Sequence, residues 1–165
     1  MQFVDTNIFI RFLTKDDPKK ADACFDLLQR AEKGEINLQT TESVIAETVY
    51  ILESKRLYNL SRKEIYQKLF PLLKIKSLKI PYKNSLLLAL DIYSKKNLDF
   101  EDAVLIANSL RVGSKEIYSY DKGIDKFSEV KRLEPLCCTS VCTCKNIISR
   151  SCPGRAVPKI STYIY

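Results

Sequence analysis

The acidic side chains are the groups in this chain whose placement suggests chemistry. The N-terminus reads MQFVDTNIFIRFL, an apolar start, a single aspartate at Asp5 and a second apolar run. An isolated carboxylate is costly inside a core, so Asp5 must cap a helix, meet a cation or hold a metal. Three further acids stand at comparable places: Glu47 in VIAETVYIL, Asp102 in DFEDAVLIA and Asp121 directly after IYSY. Two of the four end short apolar strands, and two lie on helical stretches that would flank the same sheet edge. Each has an ordinary alternative. Asp5 suits a helix cap, and Glu47 suits a surface position. Asp102 can join a capping arrangement begun at Asp99, and Asp121 can be a turn residue before Lys122-Gly123. Only their joint placement favours chemistry. Carboxylates gathered in one cleft repel one another and take up protons unless a cation neutralises them. A hard divalent ion, Mg²⁺ or Mn²⁺, prefers oxygen ligands and also accepts phosphate oxygens. The chemistry this suits is hydrolysis of a phosphodiester by metal-activated water.

The composition narrows the choice further. The chain contains no His and no Trp. Without His there is no Ser-His-Asp triad, no Cys-His pair and no H-E-x-x-H zinc site. A carboxylate-metal site needs none of these. The 165 residues, 45% hydrophobic and 28% charged, suit one soluble domain with a real core. No apolar run approaches the ~20 residues that span a bilayer, and the start lacks the pattern of a signal peptide. A cytoplasmic protein without a membrane segment is the expectation.

The elements that must position the acids alternate between strand and helix. Strands are expected at Gln2-Phe3-Val4, which reads as buried, and at Ile36–Gln39, Leu78–Ile80, Glu116–Ser119 and Val130–Leu133. Thr6 or Asn7 can cap a helix running to Leu13. Pro18 sits in the first turn of the next, whose face is Ala21, Cys24, Leu27, Leu28 and Ala31, with Gly34 as its stop. Thr41-Glu42-Ser43 opens a third helix. Ser61-x-x-Glu64 fits a capping box at the start of a fourth. Asn84–Lys95 and a stretch from Asp99 to Leu110 complete the helices, the last ended by Gly113. This order predicts a three-layer α/β/α domain with a mainly parallel central sheet, whose sites form beyond the carboxyl ends of its strands.

After Pro135 the character changes. Residues 136–165 hold five of the six cysteines, show no helical or strand period and contain no acidic residue. The spacing Cys137-Cys138-x3-Cys142-x-Cys144-x7-Cys152 lacks two well-spaced C-x2-C pairs, so a zinc site is the weaker reading. The expectation is a nuclease-like domain at 1–135 and a Cys-rich, disordered or non-native tail at 136–165. The formal net charge is +7, with 27 basic residues; setting aside Lys145, Arg150, Arg155 and Lys159 of the tail leaves 23 basic against 20 acidic. Lys55-Arg56, Lys95-Lys96 and Lys74/Lys76/Lys79 are candidates for phosphate contacts, with Tyr58 and Tyr93 available for stacking.

VDTNIFIRFL, SVIAETVYIL, DFEDAVLIA and YSYDKGIDKF followed by VKRLEP resemble a PIN-domain ribonuclease, and more narrowly the VapC-type toxins of toxin–antitoxin pairs. The resemblance runs from Met1 to about Pro135. It implies an Mg²⁺- or Mn²⁺-dependent endoribonuclease that cuts RNA, forms a homodimer and is held inactive by a cognate antitoxin. By motif it assigns Asp5, Glu47, Asp102 and Asp121 to the acidic cluster. Thr6, Asn7 and Ser119 would orient the cluster or contact phosphate. Asp99 competes with Asp102 as ligand, although its place before Phe100 suits a cap. Glu101 lies about 100° round the helix from Asp102 and does not face the same ion. The alternatives are a non-catalytic RNA-binding domain and a nuclease acting on DNA.

Overall fold

Side-chain caps set most of the helix boundaries. In the computed structural model, which describes residues 1–135, β1 (Gln2–Phe3) leads to α1 (Thr6–Thr14). The N-cap of α1 is Asp5, rather than Thr6 or Asn7: its carboxylate accepts from the amides of Asn7 and Ile8 at 3.1 and 3.4 Å. α2 (Pro18–Glu32) starts on Pro18 with Asp17 as cap, and Gly34 follows it in the left-handed region at φ 78°. β2 (Leu38–Gln39) precedes α3 (Glu42–Glu53), capped by Thr41. α4 (Arg62–Leu73) opens with the complete Ser61–Glu64 capping box. β3 (Leu78–Lys79), α5 (Lys83–Lys95), α6 (Phe100–Arg111) and β4 (Glu116–Tyr118) follow. A 3₁₀ turn over Lys122–Lys126, not foreseen as an element, leads to β5 (Lys131–Leu133).

The assigned strand pairs are all parallel, and with the six helices of the described residues they make a three-layer α/β/α fold. β1 pairs with β2 and β2 with β3; β4 pairs with β5 in a separate ladder. Strands of two or three residues offer too few backbone groups to carry one unbroken ladder. The core is mainly apolar, with Thr6, Thr40, Thr48 and Ser85 as its buried polar side chains among the described residues. Phe9, Leu38, Ile45, Leu52, Leu69, Leu78, Leu90 and Ile106 are fully buried, at about 1.5–3 kcal/mol for each large side chain removed from water. The expectation of a buried first strand fails at Phe3, which is 70% exposed. The Cys-rich tail expected at 136–165 lies outside the described residues.

The turn between α1 and α2 is held by a polar clamp. Arg11 and the Tyr58 hydroxyl both donate to Asp16, the latter at 2.7 Å. The Arg11 hydrogen bond first, and that of Tyr58 second, hold the Asp16 carboxyl down at about 2, against an ordinary 3.8. Such a group stabilises the fold above pH 3.8, and the contribution is lost as pH falls through about 2. Asp16→Asn is therefore expected to lower the thermal midpoint at pH 7. The gap between variant and parent should close between pH 3.8 and 2, as read by thermal unfolding across that range.

Candidate active site

The four acids fall into two pairs: Asp5, after β1, with Glu47, midway along α3, and Asp102, in the first turn of α6, with Asp121, after β4. The first pair joins α1 to α3. Asp5 is exposed at the end of β1, so it bears no burial cost; besides capping α1 it receives the Asn7 side-chain amide at 3.4 Å. The neighbouring Thr6 is buried, and its hydroxyl donates to Glu47 Oε2 on α3. That contact spans 41 residues of sequence and fixes the glutamate side chain beside the start of α1. Glu47 lies on the exposed side of α3, while Ile45, Thr48, Val49 and Leu52 are buried. The helical period therefore aims the carboxylate outward, at the rim.

The second pair joins α6 to the 3₁₀ turn. Asp121 Oδ1 accepts from the Gly123 amide at 2.6 Å, and the Asp121 amide donates to Ser119 Oγ at 3.0 Å. A Cβ placed on Gly123 would lie 3.0 Å from Asp121 Oδ1 and 3.6 Å from Asp102 Oδ2, so both carboxylates border the same glycine. Asp102, in the first turn of α6, is half-buried. Burial pushes its carboxyl above the ordinary range, and the charges of Asp121, Asp99 and Glu101 push the same way; Lys126 opposes them. The pair thus concentrates negative charge that the nearby cation does not cancel.

Asp99 occupies the cap position of α6, as its place before Phe100 suggests, but makes no side-chain cap bond; its carboxylate lies 3.8 Å from Arg62. Among the described residues, no three or more Asp, Glu, Cys or His side chains are gathered closely enough to enclose a metal ion by themselves. The donor set nevertheless suits a hard hydrated cation, which needs only one or two carboxylates and keeps its waters.

Two arginines position this machinery, and neither stood out in the sequence. Arg132 has 12% of its side chain exposed; it donates to both Asp125 oxygens at 3.1 Å, to Glu134 at 2.7 Å and to the Ser119 carbonyl at 2.9 Å. It therefore ties both sides of the loop that bears Asp121. Arg62 donates to the carbonyls of Lys96 and Leu98 and to Glu53, and lies 4.9 Å from the Tyr93 ring centre. It holds the connection into α6. The available signal was a charged residue at an alternating strand position, Arg132 within VKRL. Tyr93 itself is fully buried, which removes it as a stacking candidate; Lys95 is paired with Asp91 at 2.7 Å.

The PIN domain family model matches residues 3–131. The chain belongs to the PIN domain family. It is also similar to a protein described as "VapC ribonuclease" from Aquifex aeolicus (strain VF5), 28% identical over 126 residues, which covers 76% of this chain and 91% of the relative. The matched PIN region takes in all four acids and Arg62, and it ends one residue before Arg132. No helix among the described residues is long and apolar enough to cross a membrane.

Proposed function

We propose that this PIN domain is a VapC-type endoribonuclease that hydrolyses RNA phosphodiester bonds with Mg²⁺ or Mn²⁺. The observation that carries the reading is the Asp102–Asp121 pair: two carboxylates beside one glycine, in a PIN-family chain that is 28% identical to a protein described as "VapC ribonuclease". Asp121 and Asp102 would hold the ion, with Asp5 and Glu47 completing the acidic rim. When bound, the ion supplies neutralising charge at the phosphate and acidifies water. The protein's own groups do the rest. Thr6 Oγ1 keeps one Glu47 oxygen engaged and so orients the other. The Asn7 amide, beside Asp5, and the Ser119 hydroxyl, beside Asp121, would contact phosphate oxygens. Asp102, its carboxyl raised by burial and by the charges of Asp121, Asp99 and Glu101, retains its proton to higher pH than an exposed aspartate would. A homodimer restrained by a cognate antitoxin, working in the cytoplasm, completes the proposal, as does a nuclease domain at 1–135 followed by a separate tail.

Asp5→Asn tests the reading cleanly, because the asparagine side-chain oxygen can still accept the Asn7 and Ile8 amides and preserve the cap. Cleavage of single-stranded and structured RNA, assayed with Mg²⁺ or Mn²⁺, is expected to fall by about 10²-fold or more, with thermal stability unchanged. Full activity in the folded variant would refute the assignment of Asp5. Parallel assays on DNA separate an RNA-directed enzyme from a general nuclease.

A further inference from the structure

One residue row of the three-stranded sheet is open to solvent at both ends, and it runs from a lysine-lined groove to a second groove that Asp5 lines. Phe3, Gln39 and Lys79 are register partners across β1, β2 and β3. Register partners share a face, and their neighbours Leu38 and Leu78 are buried, so this row points to the opposite, open side. Phe3 is exposed, Gln39 half-buried and Lys79 exposed. With strands about 4.8 Å apart, the row spans about 10 Å. Beyond Lys79 lies a groove of about 710 Å³, lined by Gln39, Lys74, Lys76, Lys79 and Lys83 among others and by no acidic side chain. At the other end, Phe3 and Asp5 line a second groove of about 530 Å³.

The lysines divide by role. Lys83 is half-buried and donates to the carbonyls of Ile75 and Leu78 at 2.6 Å each, so it is committed to the fold. Lys74, Lys76 and Lys79 are exposed, and none pairs with a carboxylate among the described residues. Lys74 rests over the Phe70 ring at 4.7 Å, which holds its ammonium at the groove. An acidic peptide added as a further strand is the rival occupant, but the outer edge of β3 is already used. The Leu78 amide donates to Ile75 at 3.2 Å, its carbonyl accepts from Lys83, and Pro81 has no amide hydrogen to offer. An aromatic ring beside the rim and free ammonium groups along a groove instead match the parts that hold a single strand, bases on the ring and phosphates on the lysines.

We propose that this open face is the track for single-stranded RNA, with Phe3 stacking a base beside the cleavage rim and Lys74, Lys76 and Lys79 holding the phosphates of the flanking nucleotides. This rests on the ribonuclease reading, and its test is arranged to separate the two. Binding of a fluorescent single-stranded RNA, without added metal, is followed by anisotropy as a function of salt. The K74Q/K76Q/K79Q variant is expected to bind about tenfold or more weakly at 0.1 M salt and to lose about 2 from the slope of log affinity against log salt. Phe3→Ala is expected to lose about tenfold in affinity with the slope unchanged. Unaltered affinity and slope in the triple variant, with unchanged thermal unfolding, would overturn the track even if the protein cuts RNA. Polyglutamate of equal charge displacing the RNA as well as unlabelled RNA does would overturn it in favour of an acidic peptide. If the variants weaken binding as expected while no RNA is cleaved under any metal, the track stands and the ribonuclease reading falls.

Discussion

Asp102→Asn is expected to remove RNA cleavage by about 10³-fold while raising the thermal midpoint at neutral pH. The two effects have one origin. Burial, then the charges of Asp121, Asp99 and Glu101, lift the Asp102 carboxyl above its ordinary value of 3.8. A raised carboxyl means that the folded state binds the proton more tightly than the unfolded chain does. The ionised group therefore weakens the fold at pH values above its folded pKa, and the penalty disappears below 3.8. Asparagine carries no charge and escapes the penalty. The stability gap between Asp102→Asn and the parent should thus open in the variant's favour as pH rises from 3.8, whereas the Asp16→Asn gap, already open by pH 3.8, favours the parent. Thermal unfolding across pH 3–8 reads it. Adding Mn²⁺ should raise the midpoint of the parent and not of the variant, because only the parent keeps both carboxylates. Equal midpoints with and without Mn²⁺ in the parent would count against the pair as a cation site. A stability–activity exchange of this kind is what a site assembled from like charges entails.

How far the sequence anticipated this site depends on the range of the interaction involved. Features set within a few residues were legible. The Ser61–Glu64 capping box, Pro18 in the first turn of α2 and the glycines after α2 and α6 stand where local chemistry placed them. The four acids stood out because each lies in or directly beside an apolar stretch, which makes a carboxylate chemically conspicuous. What closes the site over long separations was not. Thr6 meets Glu47 across 41 residues, and Arg62 meets Lys96 and Leu98 across 34 and 36. A single chain read in order offers no sign of such partners. Phe3 was misplaced because a strand of two residues has no alternation to reveal its face. Asp99 stands at the cap position its place before Phe100 indicated, but the cap bond depends on where the side chain turns, here toward Arg62.

Arg132→Lys is expected to lower kcat by about 10²-fold with little change in KM, although Arg132 touches none of the four acids. Its Nε donates to both Asp125 oxygens at 3.1 Å, and its Nη1 donates to the Ser119 carbonyl and Glu134 at 2.9 and 2.7 Å. Ser119 in turn receives the Asp121 amide. The loop from Ser119 to Asp125 is therefore fastened at both ends by one side chain, with Asp121 between the fastenings. A lysine keeps the charge but cannot form the same planar fork, so one fastening is lost. A displacement of Asp121 by about 1 Å would account for a rate loss of the size expected. Asp125→Asn, which keeps the side-chain shape while weakening the ion pair, should fall between the parent and Arg132→Lys. A role confined to general stability predicts something different: losses that follow the thermal midpoint and add to any active-site substitution. Positioning through Asp121 predicts that Arg132→Lys costs almost nothing further in an Asp121→Asn background, since the group it aligns is already gone. Single-turnover rates for the two single variants and the double variant decide between them, and full additivity would remove Arg132 from the site.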